Sequence, residues 1–168
     1  MVKLASAAGL APQKEMGSSF GDPSRPADLL INDWSLGKAG AFDLTVVSPL
    51  SPSILHGAGA GNTDVVDEAA KKKHTDNDPK CADLGWTCVP LAVDSYGRWC
   101  DEAHTAFSEV AVRLSTRTKV SFSSALSSIY NSLSLVLVRQ NGLALIAKRS
   151  PGVGAHEMHR LSGFRDDV

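Results

Sequence analysis

Arg25-Pro-Ala-Asp-Leu-Leu-Ile31 and, one turn-rich segment later, Ala41-Phe-Asp-Leu-Thr-Val-Val47 decide the fold of this chain. Ala27 to Ile31 reads as a short strand. Asn32 to Gly40, with its Asn-Asp start and its Leu-Gly-Lys, has turn chemistry. Ala41 to Val47 is near-continuously apolar and β-branched, as a strand buried on both faces would be. Two strands joined by a turn form a hairpin, and Pro49 and Pro52 stop the second one. This hairpin carries Asp28 and Asp43 toward one end of a small sheet, beside Leu29-Leu30 and Leu44 to Val47. Burying a carboxylate among such neighbours costs several kcal/mol unless a partner offsets it. A divalent cation is one such partner, because Mg²⁺ binds through one or two carboxylates, waters and phosphate oxygens. The plain alternative leaves Asp28 at a turn and Asp43 facing solvent.

Outward from the hairpin, a helix is expected over residues 63–84. Asn62 or Thr63 would cap it, Asp64, Asp67 and Glu68 suit its positive end, and Pro79 threatens a break. It carries Lys71, Lys72, Lys73, His74 and Lys80, and a helix folding back over the sheet can bring an ammonium to the carboxylates. The usual fate of such a lysine run is a solvated face. Trp86 to Val93 is a third strand, with Pro90 arguing for an edge or a bulge. Ala103, Phe107, Val110 and Leu114 recur at helical spacing, and a second helix is expected from about Ser121 to Lys148. At the N-terminus, residues 4–20 are weakly helical, with Pro12 to Glu15 opening a further turn. The reading is an α/β domain: a small mixed β-sheet flanked by helices, with C-terminal helices. Its parts are an N-terminal helix and loop (1–26), the α/β core (27–97), a C-terminal helical part (98–149) and a loose tail (150–168).

The chain has 168 residues, enough for one domain with a substantial core. It is 43% hydrophobic and 21% charged, which excludes a wholly disordered chain and a collagen-like rod. Its formal net charge is −1, so any nucleic-acid site must come from local clustering. No apolar run approaches the ~20 residues that cross a bilayer, and Gly9 and Pro12 interrupt the N-terminal stretch before a signal sequence develops. An intracellular, non-secreted protein is expected, nuclear or cytoplasmic. Cys81, Cys88 and Cys100 form no CxxC pair and no disulfide framework, and read as buried thiols. The five histidines are scattered with no cysteine pair beside them, so zinc is not expected. Gly57-Ala-Gly-Ala-Gly61 lacks the Gly-Lys-Ser/Thr of a phosphate-binding loop.

The series Arg-Pro-x-Asp, a second Asp fifteen positions on within an apolar strand, a lysine-bearing helix and a further apolar strand resembles the restriction-like endonuclease domain of site-specific non-LTR retrotransposon proteins. That domain is a branch of the PD-(D/E)XK superfamily. The blocks that carry the likeness are Ala8-Gly-Leu-Ala-Pro-Gln-Lys-Glu15, Arg25 to Leu30, Trp34 to Leu50, Lys80-Cys-Ala-Asp-Leu-Gly-Trp86, Val89 to Gly97 and Leu137-Val-Arg-Gln-Asn141. Together they span roughly residues 5–150.

The resemblance implies that Asp28 and Asp43 are the two metal-binding acids and that Glu15 matches an acid on the first core helix. In the strict superfamily motif a lysine stands two positions after the second acid, where this chain has Thr45. The retrotransposon branch supplies its lysine from the following helix, and Lys73 and Lys80 are the candidates. The implied activity is Mg²⁺- or Mn²⁺-dependent hydrolysis of a phosphodiester bond, nicking DNA to leave a 3′-hydroxyl. The implied partners are DNA and the remainder of a retrotransposon protein. Lys71, Lys72, Arg113, Arg117 and Arg139 are candidates for phosphate contact. Two other readings stand beside this one. One is a degenerate, non-catalytic copy that binds DNA or protein. The other is a structural α/β domain whose aspartates cap turns.

Overall fold

The computed structural model describes residues 1–14, 27–50 and 64–149. Glu15, Arg25, the glycine-rich run at 57–61, the proposed caps Asn62 and Thr63 and the tail from 150 lie outside the described residues. The order is α1 (Val2–Ala7), β1 (Pro12–Lys14), β2 (Leu29–Ser35), β3 (Lys38–Val47), α2 (Val65–Asp83), β4 (Trp86–Asp94), α3 (Asp101–Thr118) and α4 (Phe122–Arg149). The fold is α/β, as expected. Four strands form one mixed sheet in the order β1-β2-β3-β4. The first two pairings are antiparallel, and β3 and β4 are parallel through the crossover helix α2. The chain divides into two compact units, Met1–Leu133 and Ser134–Val168.

The hairpin forms where the sequence places it, but its turn is shorter than expected. Asn32 to Gly40 is mostly strand, and the turn is Leu36-Gly37, with positive φ of 51° and 75°. Two positive φ values match the right-handed twist of the flanking strands. Trp34 extends β2 through this segment by being buried. Its ring meets Phe42 edge-on at 4.7 Å and fills the space over Gly40, where a Cβ would stand 2.7 Å from the indole. Residues 12–14, expected to begin a helical turn, instead pair with Leu29–Ile31. Pro12 opens that outermost strand, a position that asks no N–H of it.

The expectation that β3 is buried on both faces holds only for Gly40 to Asp43. Beyond Phe42 no described residue pairs on the β2 side, and Leu44 and Val46 are exposed. Pro79 does not break α2. The helix loses the bond that residue 79 would give its i−4 carbonyl. It continues because Asn77 and Cys81, on either side, are buried. Its cap is Asp64, whose carboxylate accepts from the N–H groups of Val66 and Asp67. Pro90 sits on β4, the last strand of the sheet, as its missing N–H suggests.

Alternation along β4 sorts the layers. Cys88 joins Leu30, Ala41 and Cys81 in the core beneath α2. Thr87 and Val89 turn toward Thr105, Ala106 and Glu109 of α3. The second helical layer is fastened by aromatic contacts, Trp99 on Phe107 at 4.9 Å and Phe107 on Tyr130 at 5.6 Å, both edge-on. All four apolar residues expected to face inward from α3 are buried. No helix among the described residues is long and apolar enough to cross a membrane.

Candidate functional site

Asp43 stands in the buried half of β3, registered with Pro90 of β4. It is 8% exposed, which removes the plain alternative in which it faces solvent. A carboxylate held there needs charged or polar partners, and α2 supplies two. Lys73 Nζ lies 2.7 Å from Asp43 Oδ2, and Asn77 Nδ2 donates to the same oxygen at 2.7 Å. Lys73 and Asn77 are one helical turn apart and so share a face. That face is the inward stripe of α2, in which Val66, Ala70, Asn77 and Cys81 are buried.

Asp28 immediately precedes β2. Its N–H donates to the Phe42 carbonyl at 2.9 Å, and its Oδ2 accepts from the Leu44 N–H at 2.9 Å. It therefore grips the residues on either side of Asp43, while its own side chain is exposed. Among the described residues, Oδ1 of Asp28 and Oδ1 of Asp43 accept no hydrogen bond. Both acids stand at the same end of the β2–β3 pairing, where Leu29 is registered with Phe42.

The two lysine candidates separate. Lys73 reaches Asp43, whereas Lys80 is exposed in the last turn of α2 and makes no ion pair there among the described residues. Of the proposed phosphate-contact residues, Lys71 is exposed and paired with Glu68 at 2.9 Å, and Lys72 is exposed. Arg113 is turned inward, donating from Nη2 to the Trp34 carbonyl at 2.8 Å. The Arg117 guanidinium covers Gly9, taking the room that a side chain would need there. Arg139 is exposed on α4, in the second compact unit.

Asn77 was not legible as a site residue, although its place in the stripe 66-70-73-77-81 marks it as inward-facing. A second cluster lies next to it on the same helix. His74 Nδ1 donates to Asp78 Oδ1 at 2.9 Å, and Nε2 to both oxygens of Glu102 on α3 at 2.9 Å. Burial works to lower the His74 pKa, but the bonds and charges of Asp78 and Glu102 outweigh it and leave it raised. Cys88 adjoins, with its sulfur within 4.8 Å of the His74 and Asp78 ligand atoms. Burial first, then the neighbouring Cys81, Asp78 and Asp43, push the Cys88 thiol up to about 12. Burial likewise raises Cys81. Both thiols are therefore protonated in this state and behave as the small hydrophobes the sequence suggests.

Comparison with protein-family models, curated proteins and solved structures finds no match to this chain. The functional reading rests on the residues themselves.

Proposed function

We propose that this chain is a Mg²⁺- or Mn²⁺-dependent DNA endonuclease-like domain of retrotransposon origin, hydrolysing phosphodiester bonds to nick its target. The observation that supports it best is the Lys73 ammonium 2.7 Å from Asp43. Thr45 leaves the strand without a cation, and the helix after the hairpin provides one at the second acid, as in the family this chain resembles. Asp28 and Asp43 would hold the ion. When bound, Mg²⁺ supplies Lewis acidity toward a phosphate oxygen and lowers the pKa of water.

The chain's own residues arrange the rest. Asn77 and Lys73 hold Oδ2 of Asp43 from the helix side, which fixes the carboxylate plane and leaves Oδ1 available. Lys73 sets a positive charge where negative charge builds on phosphorus during hydrolysis. The partners would be a DNA strand and the remainder of a retrotransposon protein, in the nucleus or cytoplasm.

One observation favours the second reading, a non-catalytic copy acting as a DNA-binding or protein-interaction module. Arg113 is spent on a backbone carbonyl and Lys71 on Glu68, which thins the basic surface available to a phosphate backbone. Nicking of supercoiled plasmid with Mg²⁺ decides between the two. The nuclease reading expects relaxed circles from the wild-type chain and a loss of at least ~100-fold in Asp43→Asn, the scale on which removing one electrostatic catalytic group acts. Equal nicking by both proteins assigns the activity elsewhere. No nicking by either, with Mn²⁺ still bound at the aspartates, assigns the chain to the second reading.

A further inference from the structure

The folded chain assembles a donor set that spacing along the sequence hides. His74 and Asp78 stand at i and i+4 on α2, one face of a helix. The crossover brings Cys88 of β4 beneath that face. The ligand atoms of His74, Asp78 and Cys88 all lie within 4.8 Å of one another. We propose that His74, Asp78 and Cys88 hold a tetrahedral zinc ion, with water at the fourth position and Glu102 orienting the imidazole.

The donor chemistry selects the ion. One nitrogen, one carboxylate oxygen and one sulfur suit Zn²⁺, whereas Mg²⁺ and Ca²⁺ take oxygen. Tetrahedral zinc at its usual bond lengths sets its ligand atoms about 3.3–3.8 Å apart, so closure asks roughly an ångström of contraction from side chains. His74 Nδ1 and Asp78 Oδ1 already stand 2.9 Å apart, sharing the proton that zinc would replace. Nε2 would keep its hydrogen bond to Glu102. Metal-binding histidines characteristically donate their other ring N–H to a carboxylate in this way, which fixes the tautomer and the ring plane. Binding releases the Nδ1 proton and the Cys88 thiol proton to solvent, with no change of oxidation state.

Cys88 and Glu102 also line a cleft of about 200 Å³ together with Trp34, Thr105 and Glu109. Three protein ligands leave the fourth position to water. It would clamp α2 to β4, and through Glu102 to the start of α3. The site shares no ligand with Asp28 and Asp43 and stands or falls apart from the nuclease reading.

The test uses the full chain, stripped with a chelator and titrated with Zn²⁺ against a chromogenic competitor, then with Co²⁺. The expected result is one zinc per chain and a cobalt form with sulfur-to-metal charge-transfer absorption. His74→Gln and Asp78→Asn, at partly exposed positions, each weaken zinc binding at least ~10-fold, and Glu102→Gln by ~10–100-fold. Because a Cys88 variant perturbs the core, its thiol is read in the wild-type chain, where zinc slows its alkylation. Absence of stoichiometric zinc, a cobalt spectrum without the sulfur band, or unaltered affinity in His74→Gln and Asp78→Asn would each overturn the assignment.

Discussion

Two i, i+4 pairs sit one residue apart on α2, and they differ in almost every physical respect. Lys73 and Asn77 face the sheet and converge on a single oxygen of buried Asp43. His74 and Asp78 face the rim, half in solvent, and reach Glu102 and the Cys88 thiol. A rotation of about 100° around the helix axis, one residue's worth, separates a hard oxygen-and-cation site from a mixed nitrogen, oxygen and sulfur cluster. The comparison teaches that in a lysine-rich run the direction of each side chain matters more than the run itself. Lys71 and Lys72, in the same run, face water.

Burial predicts an unequal response when each pair loses a member. The largest effect is expected at Lys73. Lys73→Met strands the Asp43 carboxylate in the core, and breaking buried pairs costs about 3–5 kcal/mol. Lys73 is 29% exposed, which places the loss near the lower end of that range. The urea midpoint against wild type measures it. A shift no larger than that of an exposed lysine would show that water, rather than Lys73, satisfies Asp43. Asn77→Ala comes next. It removes one of two donors from a buried charge, for about 1–3 kcal/mol by the same measurement.

The smallest effect belongs to the rim pair and depends on pH. In the folded chain the His74 pKa is raised. A raised pKa means that folding favours the protonated form. The stability it contributes is therefore fully present below about 6.5, the unfolded value, and is lost as pH rises through the folded pKa. With metal chelated, wild type is expected to exceed His74→Gln by less than about 1 kcal/mol at pH 5.5, because the ring is partly exposed, and the gap closes toward pH 8.5. A gap that widens with pH would reverse the sign and mean that the neutral ring is the favoured form.

How much of this was legible beforehand follows the range of the interaction. The strands β2 to β4, the crossover helix and the apolar face of α3 follow from local period, and Ala103, Phe107, Val110 and Leu114 are buried as their spacing demands. Asp43 stood out because a charge in an apolar strand requires a partner. Lys73 and Lys80 could not be separated by order along the chain. What separates them is the inward stripe set by Val66, Ala70 and Cys81, and Lys73 lies on it. Asn77 lies on the same stripe, but an uncharged amide carries no charge that demands a partner, so nothing in the sequence marks its role beside Asp43. Spacing along the chain gives no reason to expect zinc, since no cysteine pair stands beside a histidine. The β3–α2–β4 crossover brings Cys88 to His74 and Asp78, and local sequence does not encode that. The bend of Pro12 to Lys14 into the sheet was misread because three residues are too few to show a period of two.

The central claim is that Asp28 and Asp43 share one hard cation, and Mn²⁺ binding to the folded chain tests it most directly. Titration followed by electron paramagnetic resonance should give one site per chain, lost in Asp28→Asn and in Asp43→Asn and retained in His74→Gln. Mn²⁺ bound equally by all four proteins, or by none, would contradict the account.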